Sequence, residues 1–362
     1  MTERPFGSEY LRWAKTRPPA RFDLTSSGVP YLPLRDLPVT LDDLEISGTG
    51  AYGYPPLQQA IAERYRVDAS RVAAAMGTSM ANYLALAALV RPGDDVLVEH
   101  PAYEPIMAAA RHLGAAVRHF ARRAEDGFRL DPAQVERGIT PRTRAIVVSN
   151  LHNPTSALAD DHALRAVGEL AARAGARVIV DEVYLDALWE DAPRTAVHLG
   201  DRFISTSSLT KVYGLNGLRC GWVLADPAIV ERVWRLTELF NNHGVHAGER
   251  LSLVAFQNLD AIAARSRALL DANAAALNDF YAAHPHSFDV TPHAHGTVSF
   301  PRVRTGDADA LCELLESRYD TAVVPGRLFG MPEHVRIGLG VVPAAFRAGL
   351  ERLERALEEM RG

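Results

Sequence analysis

From about residue 70 onward, compact β-branched runs alternate with alanine-rich segments of helical spacing, and this alternation restricts the fold more than any other property of the chain. Asp95-Val96-Leu97-Val98-Glu99, Arg144-Ala145-Ile146-Val147-Val148-Ser149, Arg177-Val178-Ile179-Val180-Asp181 and Phe203-Ile204-Ser205-Thr206 are the clearest runs. Near-continuous apolar strands have no solvated face, so they require helices above and below. Intervening segments such as 161–174 supply them, which implies an α/β fold with a mostly parallel, doubly wound sheet. Ligands of such sheets bind beyond the carboxyl ends of the strands. Tyr103, Asn153, Asp181 and Ser208 fall at those positions.

After about residue 225 the pattern changes to long helical stretches, 226–240 and 248–283, then short strands near 297–301 and 321–324 and a closing helix at 343–360. Asp226-Pro227 is an N-cap residue followed by proline at the first helical position. A second, smaller α+β domain is expected. The resulting division is an amino-terminal segment at 1–45 that packs with the small domain or covers the cleft, a large domain at 46–244, and a small domain at 245–362. The net charge of -5 and pI near 6.2 leave no basic excess for nucleic acid or an anionic membrane. No run reaches the roughly 18 apolar residues of a membrane span, and no secretory leader is evident. Cys220 and Cys312 lie far apart without metal-ligand spacing, as expected of core thiols in the cytoplasm.

Lysine occurs only at Lys15 and Lys211, although Lys and Arg together number 39. Arginine serves wherever a plain positive charge suffices, so a retained lysine points to a job that arginine cannot do. A guanidinium never gives up its proton, whereas a desolvated ammonium becomes a nucleophilic amine able to form a Schiff base. Lys15 lies in a charged amino-terminal stretch. Lys211 lies in Ser207-Ser208-Leu209-Thr210-Lys211-Val212-Tyr213-Gly214, followed by Arg219 eight residues on.

Three further segments bear on chemistry. Met76-Gly77-Thr78-Ser79 precedes an apolar-periodic helix, and such a start serves either as a plain N-cap or as an anion site, most simply for phosphate. Asp181 ends a buried strand, where it either caps the helix after it or pairs with a cation such as a pyridinium nitrogen. Asn153-Pro154 makes a rigid turn after another buried strand.

In this order the segments resemble the class I and II aminotransferases, the fold type I enzymes of pyridoxal 5′-phosphate, from about Tyr52 to Arg336. The resemblance implies a cofactor held as a Schiff base by Lys211, with Asp181 on the pyridine nitrogen. It implies that Asn153 and Tyr184 hold the ring's phenolic oxygen and that Tyr103 stacks on the ring. Gly77, Thr78, Ser79, Ser208 and Arg219 would bind the phosphate. Arg336, in His334-Val335-Arg336-Ile337-Gly338, matches the family arginine that grips the substrate α-carboxylate. Gly28 matches a substrate-covering glycine, or forms an ordinary turn. His152 and Ser156 depart from the family's Asn-Pro-Thr-Gly turn, which ordinarily has Asn and Gly at those two places.

The resemblance also implies a homodimer in which Tyr52-Gly53-Tyr54 reaches a neighbouring subunit's phosphate, with Tyr52 favoured over Tyr54. The expected reaction is amino transfer from an amino acid to a 2-oxo acid by a ping-pong route. The alternatives on the same scaffold are C–S or β-elimination, with decarboxylation ranked lowest. A cofactor-binding regulatory domain is disfavoured by the acidic charge balance. His243, His246, Arg250, His293 and His295 are polar candidates for a substrate-facing rim.

Overall fold

A computed structural model describes residues 6–48, 51–241, 244–292 and 294–361. Seven strands form the central sheet: β1 Val72–Met76, β2 Asp95–His100, β3 Ala116–Ala121, β4 Thr143–Ser149, β5 Arg177–Asp181, β6 Phe203–Ser208 and β7 Cys220–Leu224, in the order β1-β7-β6-β5-β4-β2-β3. All neighbours are parallel except at β7, which runs antiparallel to both β1 and β6. The alternation along each strand divides the core in two. Val96, Val98, Val147, Ile179 and Ile204 face one way, onto helices α3 (Thr78–Leu89) and α7 (Pro227–Thr237). Leu97, Ile146, Val148, Val178 and Val180 face the other way, onto α6 (Asp161–Ala174).

Local chemistry sets the helix ends. Asp226 accepts from the backbone N–H groups of Ala228 and Ile229 at 3.1 and 3.3 Å, with Pro227 at the first position of α7. The stretch expected at 248–283 is two helices, α8 (His246–Gln257) and α9 (Leu259–Ala283). Asn258 separates them, and its Nδ2 donates to the Val254 carbonyl at 2.8 Å, satisfying a group at the end of α8. The amino-terminal segment contains a helix that its composition did not announce, α1 (Glu9–Thr16), capped by Ser8 Oγ accepting from Leu11 N at 3.1 Å.

Short strands complete the fold. Val335–Gly338 lies between Val298–Ser299 and Val324–Pro325 in an antiparallel sheet, and Phe22–Asp23 pairs parallel with Thr321–Ala322. Leu24, Phe280, Leu311, Ile337, Phe346 and Leu353 are among the residues of this second core. The segment after Leu24 then passes over the large sheet, where Val29 N donates to the Lys211 carbonyl at 2.8 Å.

Candidate active site

The anion-binding end follows from strand direction. β1 and β6 finish at one edge of the sheet, and antiparallel β7 begins there, which delivers Arg219 beside Gly77 and Thr78. Gly77 has φ +80, and a Cβ on it would lie 2.4 Å from Arg219 Nη2. Only glycine both makes the turn into α3 and leaves room for the guanidinium. Thr78 Oγ1 donates to Ser208 Oγ at 2.8 Å, joining the helix start to the end of β6. The first N–H groups of α3 have no intrahelical acceptor. Together with Ser79 and Arg219 they form a cradle for a dianion.

Asp181 is fully buried at the end of β5. Desolvation raises it to about 6, against the hydrogen bonds that hold its charge. Its Oδ2 accepts from Asn82 Nδ2 at 2.7 Å and its Oδ1 from Val183 N at 3.1 Å. No cationic side chain forms an ion pair with it among the described residues, so it is a buried acid waiting for a cationic partner.

Lys211 lies across the same cavity. Burial lowers its amine to about 8, and the nearby Arg336 charge pushes in the same direction. Its Nζ donates to Ser27 Oγ at 3.0 Å. Gly28 is the next residue of that covering segment, and a Cβ on it would stand 3.1 Å from Lys211 Cα and Cδ. Gly28 therefore permits close approach, not merely a turn.

Asn153 joins the two halves of the site. Arg336 Nη1 donates to Asn153 Oδ1 at 3.1 Å, which turns the amide nitrogen towards the Tyr184 hydroxyl at 3.5 Å. Behind it, Asn153 N donates to Ser149 Oγ at 3.1 Å, and Ser149 donates from both N and Oγ to Glu99 Oε1 at 2.6 Å. Glu99 is paired in turn with Arg122 at 2.9 Å. Burial raises the phenols of Tyr103 and Tyr184, so both stay protonated. The departures in the turn are accommodated locally. His152 sits between the Pro101 carbonyl at 2.9 Å and Thr155 Oγ1 at 2.6 Å, and burial keeps it neutral. Ser156 adopts φ +60 and its hydroxyl donates to the Val298 carbonyl at 2.7 Å, offsetting a left-handed conformation that glycine would take without cost.

Arg336 is completely buried and forms no ion pair among the described residues. Its Nη2 donates to Tyr10 Oη and to the Thr25 carbonyl, both at 2.8 Å, while its Nε has no partner. A guanidinium buried without a carboxylate fits an anionic substrate group.

Other expectations fall outside the cavity. Tyr52 is on the surface, stacked on Trp234 at 5.6 Å and bonded to Glu238. Tyr54 packs edge-on against His246. Arg250 donates to the Asp42 carbonyl, and His295 lines a separate cleft with Ser156 and His334. His243 and His293 lie outside the described residues. Conversely, sequence reading missed Asn82, Ser27, Tyr10 and the Glu99–Arg122 pair. Asn82 left one signal, a polar residue inside the apolar run Met80-Ala81-Asn82-Tyr83-Leu84, four positions after Thr78 and so on the same helix face.

A dianion cradle, a buried acid and a lone amine around one cavity define a site for a phosphorylated, cationic aromatic aldehyde, and the residues present fit pyridoxal 5′-phosphate. Residues 38–353 match the family model "Aminotransferase class I and II", and the chain belongs to that family of pyridoxal 5′-phosphate-dependent transaminases. It is 31% identical over 350 residues to capreomycidine synthase of Streptomyces vinaceus, covering 93% of this chain and 90% of the relative. It is 29% identical to an arginine–pyruvate transaminase of Pseudomonas aeruginosa, over 86% and 82% of the two chains. Among solved structures, a PLP-dependent aminotransferase from Streptococcus suis superimposes with a TM-score of 0.88 at 25% identity over 94% of both chains. The PLP-dependent cyclase OrfR gives 0.87 at 30% identity, covering 100% of this chain and 99% of the other.

Proposed function

We propose that the enzyme transfers an amino group between a free amino acid and a 2-oxo acid, with Lys211 as its acid–base group. One observation carries the assignment of roles: the single buried lysine of a lysine-poor chain faces a buried acid that has no cation of its own. Bound pyridoxal phosphate supplies an electron sink for charge developing at the substrate Cα. The chain's residues do the rest. Thr78, Ser79, Ser208 and Arg219 hold the phosphate, and Asp181 holds a proton on the ring nitrogen. Asn153 and Tyr184 donate to the phenolic oxygen, and Tyr103 packs on the ring face. Arg336 grips the substrate carboxylate through parallel hydrogen bonds, which keeps that group from leaving. The Lys211 amine, partly neutral near pH 7 because of its lowered value of about 8, would take the proton from Cα and return it to the carbon on the far side of the substrate nitrogen.

A second reading, elimination or another Cα reaction, is favoured by the names of two similar proteins, a synthase at 31% identity and a cyclase at 30%. A donor screen that follows the cofactor's absorbance tests both. It begins with arginine and aspartate as donors and pyruvate as acceptor. Oxo acid formed only when an acceptor is present supports transfer. Release of ammonia and oxo acid without acceptor supports elimination. No spectral response to any donor defeats both.

The assembly we infer is a homodimer in the cytoplasm. Exposed Tyr52, Leu239, Phe240 and Val245 give one face an apolar surface that a second copy would cover. Both cysteines are free and buried, consistent with a reducing compartment. No helix among the described residues is long and apolar enough to cross a membrane. Sedimentation of wild type and Tyr52→Phe, with and without cofactor, tests the dimer, and a monomer with normal turnover overturns it.

A further inference from the structure

Asn82 and Thr206 form a buried chain behind Asp181 that the transamination mechanism does not use. Thr206 Oγ1 donates to Asn82 Oδ1 at 2.6 Å, and Asn82 Nδ2 donates to Asp181 Oδ2 at 2.7 Å. Thr206 and Asp181 are cross-strand neighbours on β6 and β5, so the sheet itself sets their separation. All three side chains are at least nine-tenths buried. Both oxygens of Asp181 therefore face donors, Asn82 at one and the Val183 N–H at the other. A proton added to Oδ2 would point at an amide N–H. The amide could accept that proton only by reversing, which would give up the hydrogen bond from Thr206.

We propose that Asn82 is a positioning residue that holds Asp181 as a carboxylate, so that the proton shared with the cofactor resides on the ring nitrogen. This rests on the reading that Asp181 meets that nitrogen. The other titratable groups facing Asp181 are Lys211 after β6, Tyr103 at the start of helix α4 (Glu104–His112), and Tyr184. The two tyrosines are uncharged. Lys211 is the only cation among them, and its charge is absent whenever the amine acts as a base. At those moments the donations from Asn82 and Val183 are what oppose the desolvation of Asp181.

The test uses pyridoxamine 5′-phosphate, whose binding to the apoenzyme requires no reaction with Lys211. Its dissociation constant is measured by fluorescence quenching from pH 5 to 9. In wild type, affinity declines below the Asp181 value of about 6, because a proton must leave the acid before it can hold the ring. Asn82→Leu, which keeps the volume and removes the donor, should move this acidic limb upward by about one unit or more. Thr206→Val, which frees the amide to reverse, should move it in the same direction by less. The ¹⁵N resonance of ring-labelled cofactor at neutral pH should shift towards the unprotonated position in both variants. An unmoved acidic limb in both variants overturns the inference, and if Asn82→Leu fails to fold, Thr206→Val decides alone. Asp181→Asn separates the two layers: if it retains the wild-type limb, the placement of Asp181 at the ring nitrogen has failed. If it abolishes the limb while both variants leave it unmoved, only the role of Asn82 has failed.

Discussion

The carboxyl edge of the large sheet and the wall that covers it are built in opposite ways. At the edge, Ser149, Asp181 and Thr206 are register partners on three adjacent strands, and Lys211 follows the third by a few residues. Backbone pairing alone brings these side chains together. The wall is assembled from distant places. Arg336 is held by Tyr10 and by the Thr25 carbonyl, more than 300 residues away in sequence. Its strands near the covering segment are only two to four residues long, and close packing secures them: a Cβ on Gly338 would lie 1.9 Å from the Ser26 carbonyl oxygen, and one on Gly340 equally close to that of Gly28. On the proposed roles, the difference teaches that reaction chemistry is anchored in the sheet while recognition is anchored in contacts between distant segments. Damage at the edge should lower kcat, and damage at the wall should raise KM.

The largest break should come from Lys211→Ala. Turnover should fall by roughly four orders of magnitude or more, since nucleophile and acid–base group are lost together. Borohydride treatment of wild type should fix the cofactor to the peptide containing Lys211, and a label on Lys15 would defeat the assignment. Asp181→Asn should lower kcat by about 10²–10³ with little change in KM, the signature of an edge residue. A rise in KM alone would place Asp181 with the wall.

Arg336→Lys should cost about 10- to 100-fold in kcat/KM for α-amino acids, because a point charge cannot reproduce two parallel hydrogen bonds. An amine substrate without a carboxylate should be nearly unaffected, and equal losses would mean a structural role. Tyr10→Phe should raise KM by only a few-fold, since the Thr25 carbonyl still holds Arg336 Nη2. A tenfold drop in its kcat would blur the comparison.

Glu182→Gln should leave turnover unchanged and alter stability alone. Burial raises Glu182 from 4.5 to about 7 despite hydrogen bonds from Thr195 and Ala196. The folded state thus retains a proton that the unfolded state loses. Wild-type stability therefore falls as pH rises from about 4.5 to about 7, and the deficit is complete above that. The glutamine variant should lack this slope and gain on the order of 2 kcal/mol at pH 8 in urea unfolding. An unchanged pH slope would show that the carboxylate finds another partner.

The same contrast explains which residues were legible in the sequence and which were not. Asp181, Asn153, Ser208 and Lys211 come after strands with unmistakable β-branched runs, so their convergence was readable from strand order. Thr78 was readable as a helix start that could bind an anion, and Arg219 came through resemblance, because the strands that bring them together carry no β-branched run as clear. Tyr10 and Ser27 gave no comparable signal, because one lies on a short helix and the other in an irregular segment, and each bonds a partner more than 180 residues away. The break at Asn258 was hidden for a different reason: a side chain that satisfies a backbone carbonyl interrupts a helix without disturbing its apolar pattern. Arg336 was found only through resemblance.

Helix α9 has a mechanical consequence. Its first turns, at Leu259 and Ile262, pack with Leu57 and Trp222 against the large sheet, and its later turns, at Leu270 and Leu277, belong to the second core. At Asn273 the side chain donates to the carbonyls of Leu339 and Val341, at 2.7 and 2.6 Å, just beyond the strand that carries Arg336. The helix thus runs from one core into the other and is fastened there beside the strand of Arg336, the proposed carboxylate clamp. At 1.5 Å per residue the arm from Leu259 to Asn273 is about 21 Å, so a tilt of about 5° displaces the clamp end by about 2 Å. That travel exceeds the tolerance of a hydrogen bond, so on the proposed role of Arg336 its grip on a substrate carboxylate would respond to such a tilt.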